Sequence, residues 1–352
     1  MCVLPLVVSL VNLIFGVDQA ELVFAGDAMQ HMAQIEAARQ QDGTYDYSDC
    51  FAEIAPMIQS ADYAVVNLET PIGSGDFTGY PCFNAPASFA RALRDAGFNL
   101  MLTANNHPLD RRDRGVHATI DSLDAAGIEH IGTYHNAAAR DSLSAFVRNI
   151  SGIRIGFLNY TYGTNGITVS GDAVVNYIDR GKIAEDIASL RDAGAEIITV
   201  AVHWGDEYHL LENSAQRSLA DFLVDQGVDL VIGGHPHVIQ PMEVRHNDEL
   251  GKDVLVVYSL GNFISNMKTR DTRGGAIVRV SLVKGKDGVA RFDRASYDLV
   301  FTVPPSSPGD NFRLVPAYDY EGGRWQAACR AFVKAAEDIF SRHNIKVGRT
   351  AR

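Results

Sequence analysis

From Glu21 onward the chain alternates short apolar runs with amphipathic stretches. The runs ELVFAG, YAVVNLE, FNLMLTAN, EIITVAVHW, DLVIGG and VLVVYSLGNF are brief and rich in Val, Ile and Leu. That is the pattern of strands buried on both faces. Between them, Ala87 to Ala96, Gly115 to Ala126, Gly181 to Ala193 and Ser214 to Gln226 carry helical spacing. Each stops near a glycine, Gly97, Gly127, Gly194 or Gly227, as a helix C-terminus does. This alternation predicts βαβ units and a parallel sheet. Two regions read differently. Ala145 to Gly163 predicts a hairpin turning at Ser151-Gly152, and Gly275 to Val300 an antiparallel pair, so a second sheet is expected.

The same pattern divides the chain. Residues 1–20 read as a leader, 21–302 as the α/β domain, and 303–352 as a Pro-rich loop, Val303 to Asp310, with a final helix, Gly323 to Arg342, packed on it. The leader is nearly all apolar to Gly16, a length that suits an export signal better than a membrane span of about 20 residues. No Lys or Arg precedes it, and VDQA is a poor cleavage end. A buried first strand or a mis-assigned start is the alternative. Export to the periplasm or envelope is the expectation, with no membrane span beyond the leader.

Charge narrows the partners. A formal net charge of -12 lacks the basic footprint that nucleic acid or an anionic membrane requires. An anionic substrate is still admissible if bound metal supplies local positive charge. The four cysteines, Cys2, Cys50, Cys82 and Cys329, show no C-x-x-C pairing, so neither a zinc ribbon nor a redox motif is indicated. Ordinary thiols are expected, with a Cys50–Cys82 bond as an unsupported alternative.

Chemistry gathers where the strands end. VFAGD ends in Asp27, VVNLE in Asn67 and Glu69, and MLTANNH in Asn105, Asn106 and His107. VAVHW carries His203, and VIGGHPH carries His235 and His237. The carboxyl ends of parallel strands form the crevice where α/β proteins bind ligands. One such residue is more often a satisfied turn group than a ligand; five strand ends in register are not easily accidental. Oxygen and imidazole donors without Cys suit manganese, iron or zinc. A carboxylate between them can bridge two divalent ions, as in phosphatases.

The succession GDAM, NLE, NNHPLDRRDRG, HWGDEY, GHPHVIQ and YSLGNF resembles the CapA family of bacterial capsule and poly-γ-glutamate synthesis proteins. That domain is similar to calcineurin-like metallophosphoesterases. The resemblance spans about Glu21 to Ser265 and implies an αββα fold, two mixed sheets sandwiched between helices. It implies that Asp27, Glu69 and His237 hold one ion, and Glu69, Asn106, His203 and His235 the other. His107 and Asp110 are the implied catalytic residues, with Asn67, Asn105, Glu207 and Asn262 on the substrate side or behind the ligands.

Three departures from the pattern stand out. The superfamily opens with Asp-x-His, but Met29 follows Asp27 here; His31, two further on, either reaches the metal or faces solvent. The superfamily's Asp at the bridging position is replaced by Glu69. Arg112 stands where the family commonly has Gly, and with Arg111 and Arg114 it forms either a cationic wall or a solvated helix start. His117, His130, His135, His209, His246 and His343 fit no motif and are expected in surface or capping roles.

Two functions follow. One is a metal-dependent hydrolase of an anionic small molecule or polymer. The other is a non-catalytic envelope assembly factor that binds such a polymer or components of a capsule or polyglutamate synthase. No Gly-x-Ser-x-Gly elbow, Walker loop or Gly-x-Gly-x-x-Gly turn supports other classes.

Overall fold

The structure, a computed structural model, describes residues 17–351. Met1 to Gly16, most of the expected leader, lie outside the described residues. Its last residues do not. Asp18 to Ala20 already belong to the first strand, with Asp18 opposite Lys284 and Ala20 opposite Leu282. A boundary between Ala20 and Glu21 therefore cuts a paired strand.

Four parallel strands come first: β1 (Asp18–Ala28), β2 (Tyr63–Leu68), β3 (Leu100–Leu102) and β4 (Glu129–Ile131). The chain then builds a second sheet. The expected hairpin appears as β5 (Val147–Ile150) and β6 (Ile153–Thr161). Then come β7 (Ile197–His203), β8 (Leu230–Gly234), β9 (Met242–Asn247) and β10 (Lys252–Val257), in the spatial order β9-β10-β8-β7-β6-β5. Finally the chain returns to the first sheet with β11 (Asn262–Ile264), β12 (Gly274–Lys284), β13 (Ala290–Val303), β14 (Arg313–Pro316) and β15 (Gly348–Arg349). The β12–β13 pair is the expected antiparallel one.

Side-chain alternation explains the layers. In β1, Leu22 and Phe24 enter a core shared with Phe157 of β6, Ile197 of β7 and Leu255 of β10, so the two sheets pack face to face. Val23 and Ala25 point the other way, into a core under α1 (Met32–Ala38), α2 (Ala55–Gln59) and α3 (Ala87–Ala96). The α4 helix (Arg112–Ala125) starts three residues before its expected start, and α5 (Ala137–Ser142) was not signalled by periodicity. On the far side, α6 (Arg180–Asp192) and α7 (Ser214–Asp225) cover the outer face of the second sheet. The result is the four-layer αββα arrangement. The last helix, α8 (Gln326–His343), sets Phe332 against Phe301 and Phe340 against Tyr297 of β13.

Local geometry follows from composition. Gly97 closes α3 at φ 119°, a conformation with no Cβ penalty for glycine. The FNLMLTAN run forms only three residues of strand. Its chain then bends toward the second sheet, where the Ala104 amide donates to Asn159 Oδ1 at 2.7 Å. A charged pair is buried here as well: Arg140 on α5 forks onto Asp186 on α6, which also accepts from the Tyr160 hydroxyl at 2.6 Å. Among the described residues Cys50 is a buried free thiol and Cys82 an exposed one, so the alternative disulfide is absent. No described helix is long and apolar enough to cross a membrane.

Candidate metal centre

The strand ends of both sheets meet at one edge of the molecule. In the first sheet a bulge at Gly26 brings Asp27 level with Asn67 of β2 and Asn262 of β11. Such bulges often re-aim side chains beside active sites. Gly26 is required sterically, because a Cβ there would stand 1.9 Å from Gly261 O. In the second sheet Thr161, His203 and Gly234 lie in register at the ends of β6, β7 and β8. Pairing within each sheet thus sets the depth of the ligands, and sheet packing sets their separation.

Asp27, Glu69, Asn106, His203, His235 and His237 are all buried in this one crevice. Ligand atoms of Glu69, His235 and His237 lie within 4.8 Å of one another, as do those of Asp27, Glu69 and His203. Glu69 is common to both groups. The histidines divide differently from the division the resemblance implies: His235 and His237 group with Glu69, and His203 with Asp27 and Glu69, although the His235 ring lies 4.8 Å from His203 and 6.0 Å from His237. Asp27 Oδ2 also lies 3.3 Å from His237 Nδ1, and Asn106 Oδ1 lies 2.9 Å from His203 Nε2.

The carboxylates differ in how they are satisfied. Asp27 accepts from Asn67 Nδ2 at 2.8 Å and from the His235 amide at 3.3 Å. Glu69 is fully buried, and its Oε1 has no hydrogen-bond partner. That oxygen sits 3.6 Å from His203 Nε2 and 3.8 Å from His237 Nε2, too far for hydrogen bonds. An orphaned buried carboxylate oxygen is costly. A cation between these three groups would satisfy it, so the donor set fits a metal. His235 Nδ1 is likewise buried without a partner.

Protonation follows from these contacts. Burial would raise Asp27, but the His237 hydrogen bond and the charges of His203 and His237 hold it at about 2. Burial lifts Glu69 well above the carboxylate range, and the Asp27 charge adds to it. Burial pushes His203 down to about 3 and His235 to about 2, the latter helped by its histidine neighbours. His237 goes the other way. Despite burial, Glu69 and Asp27 hold it up at about 9.

His107 does not join the ligands. Its Nδ1 lies 2.8 Å from Asp110 Oδ2, and that oxygen also accepts from the Phe83 amide at 2.8 Å. Phe83 packs edge-on against the His107 ring at 4.7 Å. Asn67 and Asn105 brace the floor: Asn105 Nδ2 donates to Leu68 O at 2.9 Å and to Asn67 Oδ1 at 3.2 Å. Asn262 Oδ1 lies 3.1 Å from His237 Nδ1 and orients that ring.

Two expected residues stand apart. Glu207, expected on the substrate side or behind the ligands, is exposed. His31 is in neither ligand group; its Nδ1 faces Gln34 Oε1 at 3.2 Å and the Asn266 amide at 3.3 Å, because it caps α1. Met29 is buried and supplies no donor. Arg111, Arg112 and Arg114 line a surface cleft with Asp110 and Ser170. His117, His130, His135 and His246 each lie within 3.4 Å of an aspartate carboxylate. Sequence reading missed Tyr162 beside His235, Tyr208 near His237, Phe83 against His107, and Asn165, whose Oδ1 accepts from Asn106 Nδ2 at 3.2 Å; only the placement of Tyr162 directly after a strand end hinted at the first.

Comparison with known proteins agrees with this architecture. Residues 21–267 match the model of the bacterial capsule synthesis protein PGA_cap family. The capsule biosynthesis protein CapA of Bacillus anthracis is 26% identical over 284 residues, which cover 75% of this chain and 64% of that protein. The PGA biosynthesis protein CapA of Bacillus subtilis is 26% identical over 304 residues, 84% of this chain and 76% of that one. The chain thus spans less than two thirds of the B. anthracis relative. Among solved structures, the NAD nucleotidase of Haemophilus influenzae superposes with a TM-score of 0.52 at 11% identity, covering 96% of this chain and 65% of that one. This chain shares the fold of that nucleotidase, and with the family's model matched over residues 21–267, most of the chain, it belongs to the bacterial capsule synthesis protein PGA_cap family.

Proposed function

We propose that the chain is a two-metal, phosphoesterase-type hydrolase that works at the cell envelope in capsule or poly-γ-glutamate synthesis. The observation that carries this reading is the orphaned Oε1 of Glu69, held between His203 and His237 with Asp27 beside it. Asp27, Glu69, Asn106, His203, His235 and His237 would hold two ions of manganese, iron or zinc. Bound there, such ions lower the pKa of water and polarise a phosphoryl centre.

The residues around them supply positioning and proton transfer. Asp110 is fixed by the Phe83 amide and accepts from His107 Nδ1, which leaves Nε2 to face substrate. With Nδ1–H held by Asp110, His107 would donate a proton from Nε2 to the leaving group, and Asp110 would keep the ring oriented. Asn67 and Asn262 hold Asp27 and His237 in ligating orientation.

A second reading, a non-catalytic assembly factor, draws on Met29 and on the diversion of His31 into capping, since both remove a donor from the opening motif. Elemental analysis of protein purified without chelator tests the choice, with assays on a phosphomonoester, a phosphodiester and a γ-glutamyl peptide. About two ions per chain with turnover supports the hydrolase. Metal-free, inert protein that still binds polyglutamate overturns it in favour of the assembly factor.

A further inference from the structure

Three tyrosines stand exposed around the mouth of this centre, outside the core. Tyr162, directly after β6, is 48% exposed; its ring lies 4.6 Å from His235 and within 10° of parallel to His203 at 6.4 Å. Tyr208 is 54% exposed and its ring lies 6.2 Å from His237. Tyr80, 73% exposed, leans on Phe83, the residue that packs against His107. Each ring therefore touches a residue of the site, directly or through one neighbour, and offers the rest of its surface to solvent.

Tyr208 adds backbone evidence. It sits at φ 67°, a left-handed conformation that bulky side chains rarely adopt, and its amide is tied to Pro236 O at 2.8 Å. His235 and His237, on either side of that proline, are also left-handed. Strain of this kind persists where surrounding structure enforces it, and it clusters at ligand clamps. Burial does not offset the strain at Tyr208, because half the side chain is in water. The charge nearest in effect to the Tyr162 and Tyr208 hydroxyls is the carboxylate of Glu207. The arginines Arg111, Arg112 and Arg114 line a cleft that shares Asp110 with the site, on the His107 side. Around Tyr162 and Tyr208 the mouth is thus aromatic, a good landing surface for the face of a ring.

We propose that Tyr162 and Tyr208 form a stacking subsite, so that the site takes a phosphorylated substrate whose leaving group carries a ring, aromatic or sugar. The phosphoryl half of this statement rests on the hydrolase reading; the ring half rests on the tyrosines. A ring attached to a phosphorus held at the metals would emerge between Tyr162 over His235 and Tyr208 over His237. Stacking against the two would discriminate it from a small alkyl group.

Calorimetric titration of the full, manganese-loaded chain with methylphosphonate, phenylphosphonate and cyclohexylphosphonate tests this, because the three share one anionic head. Phenylphosphonate should bind about ten-fold tighter than methylphosphonate, the usual scale of aromatic stacking. Tyr162→Ala or Tyr208→Ala should erase most of that advantage and leave methylphosphonate affinity in place. Tyr162→Phe and Tyr208→Phe should retain it, and they guard against misfolding of the alanine variants. An equal gain with cyclohexylphosphonate assigns the subsite to saturated, sugar-like rings, and a gain confined to phenylphosphonate assigns it to flat aromatic ones. Absence of a ring advantage in the wild type, or an advantage that survives both alanine substitutions, overturns the proposal. Phenyl phosphate bound with the advantage but never hydrolysed would sink the hydrolase reading and leave the stacking subsite standing.

Discussion

The two halves of the metal centre are built by different means. The first sheet contributes oxygen donors, Asp27, Glu69 and Asn106; Asn67 donates to Asp27 and Glu69, Asn105 braces Asn67, and Asn106 is tied to Asn165. The second sheet contributes imidazoles. His203 ends a regular strand, whereas His235 and His237 are aimed by left-handed backbone and keep ring nitrogens turned to the crevice. Carboxylates need neutralising partners to be buried at all, so their half is a network. Imidazoles can be buried neutral, so theirs is set by the backbone. The difference predicts that substitutions on the oxygen side propagate to both ions and those on the nitrogen side stay local.

The largest effect is expected from Glu69→Ala. Glu69 is shared by both ligand groups, so elemental analysis should find the metal content of both positions lost, and turnover with it; retention of two ions would remove Glu69 as the bridge. His107→Ala comes next. It should leave metal content near wild type while turnover falls by about 10² to 10⁴, and normal polymer formation in cells carrying it would argue against hydrolysis as the biological role. Smaller is Asn67→Ala, which removes the 2.8 Å bond to Asp27. Metal affinity should weaken by about 10- to 100-fold, read by competition with a chelating dye.

The smallest effect cuts across the two halves, through protons. At pH 7 Asp27 is ionised and His203 and His235 are neutral, since all three titrate near pH 2 to 3. They release nothing when metal binds. The coupled Glu69–His237 pair is held up, His237 to about 9, so it carries protons in the metal-free protein. Metal needs both groups deprotonated. Loading at pH 7 should therefore release about one proton per chain or more, and affinity should rise with pH and level off above about 9. Calorimetry in buffers of different ionisation enthalpy measures this, and a release of zero at pH 7 would mean that the Glu69–His237 pair holds no proton there.

Legibility followed range. The strands from ELVFAG to VLVVYSLGNF, the helix at Ala87 to Ala96 and the hairpin at Ser151-Gly152 were readable because their signals lie within a dozen residues. The ligand types were readable because each follows an apolar run. The short α1, α2 and α5 helices were not, since seven residues or fewer carry too little periodicity. Nor was the Arg140–Asp186 pair, whose members are separated by 46 residues and look like ordinary surface charges in the chain.

By itself the sequence determined the alternation of elements, the chemistry available at their ends and the glycine that permits Asp27 its place. Only the tertiary structure decided that two sheets bring those ends to one edge, that Glu69 faces two histidines with an oxygen left over, that His31 is spent on a helix cap, and that tyrosines ring the opening. These are relations between residues far apart in the chain. They arise from sheet packing and from the backbone that such packing can strain, and no local pattern encodes them.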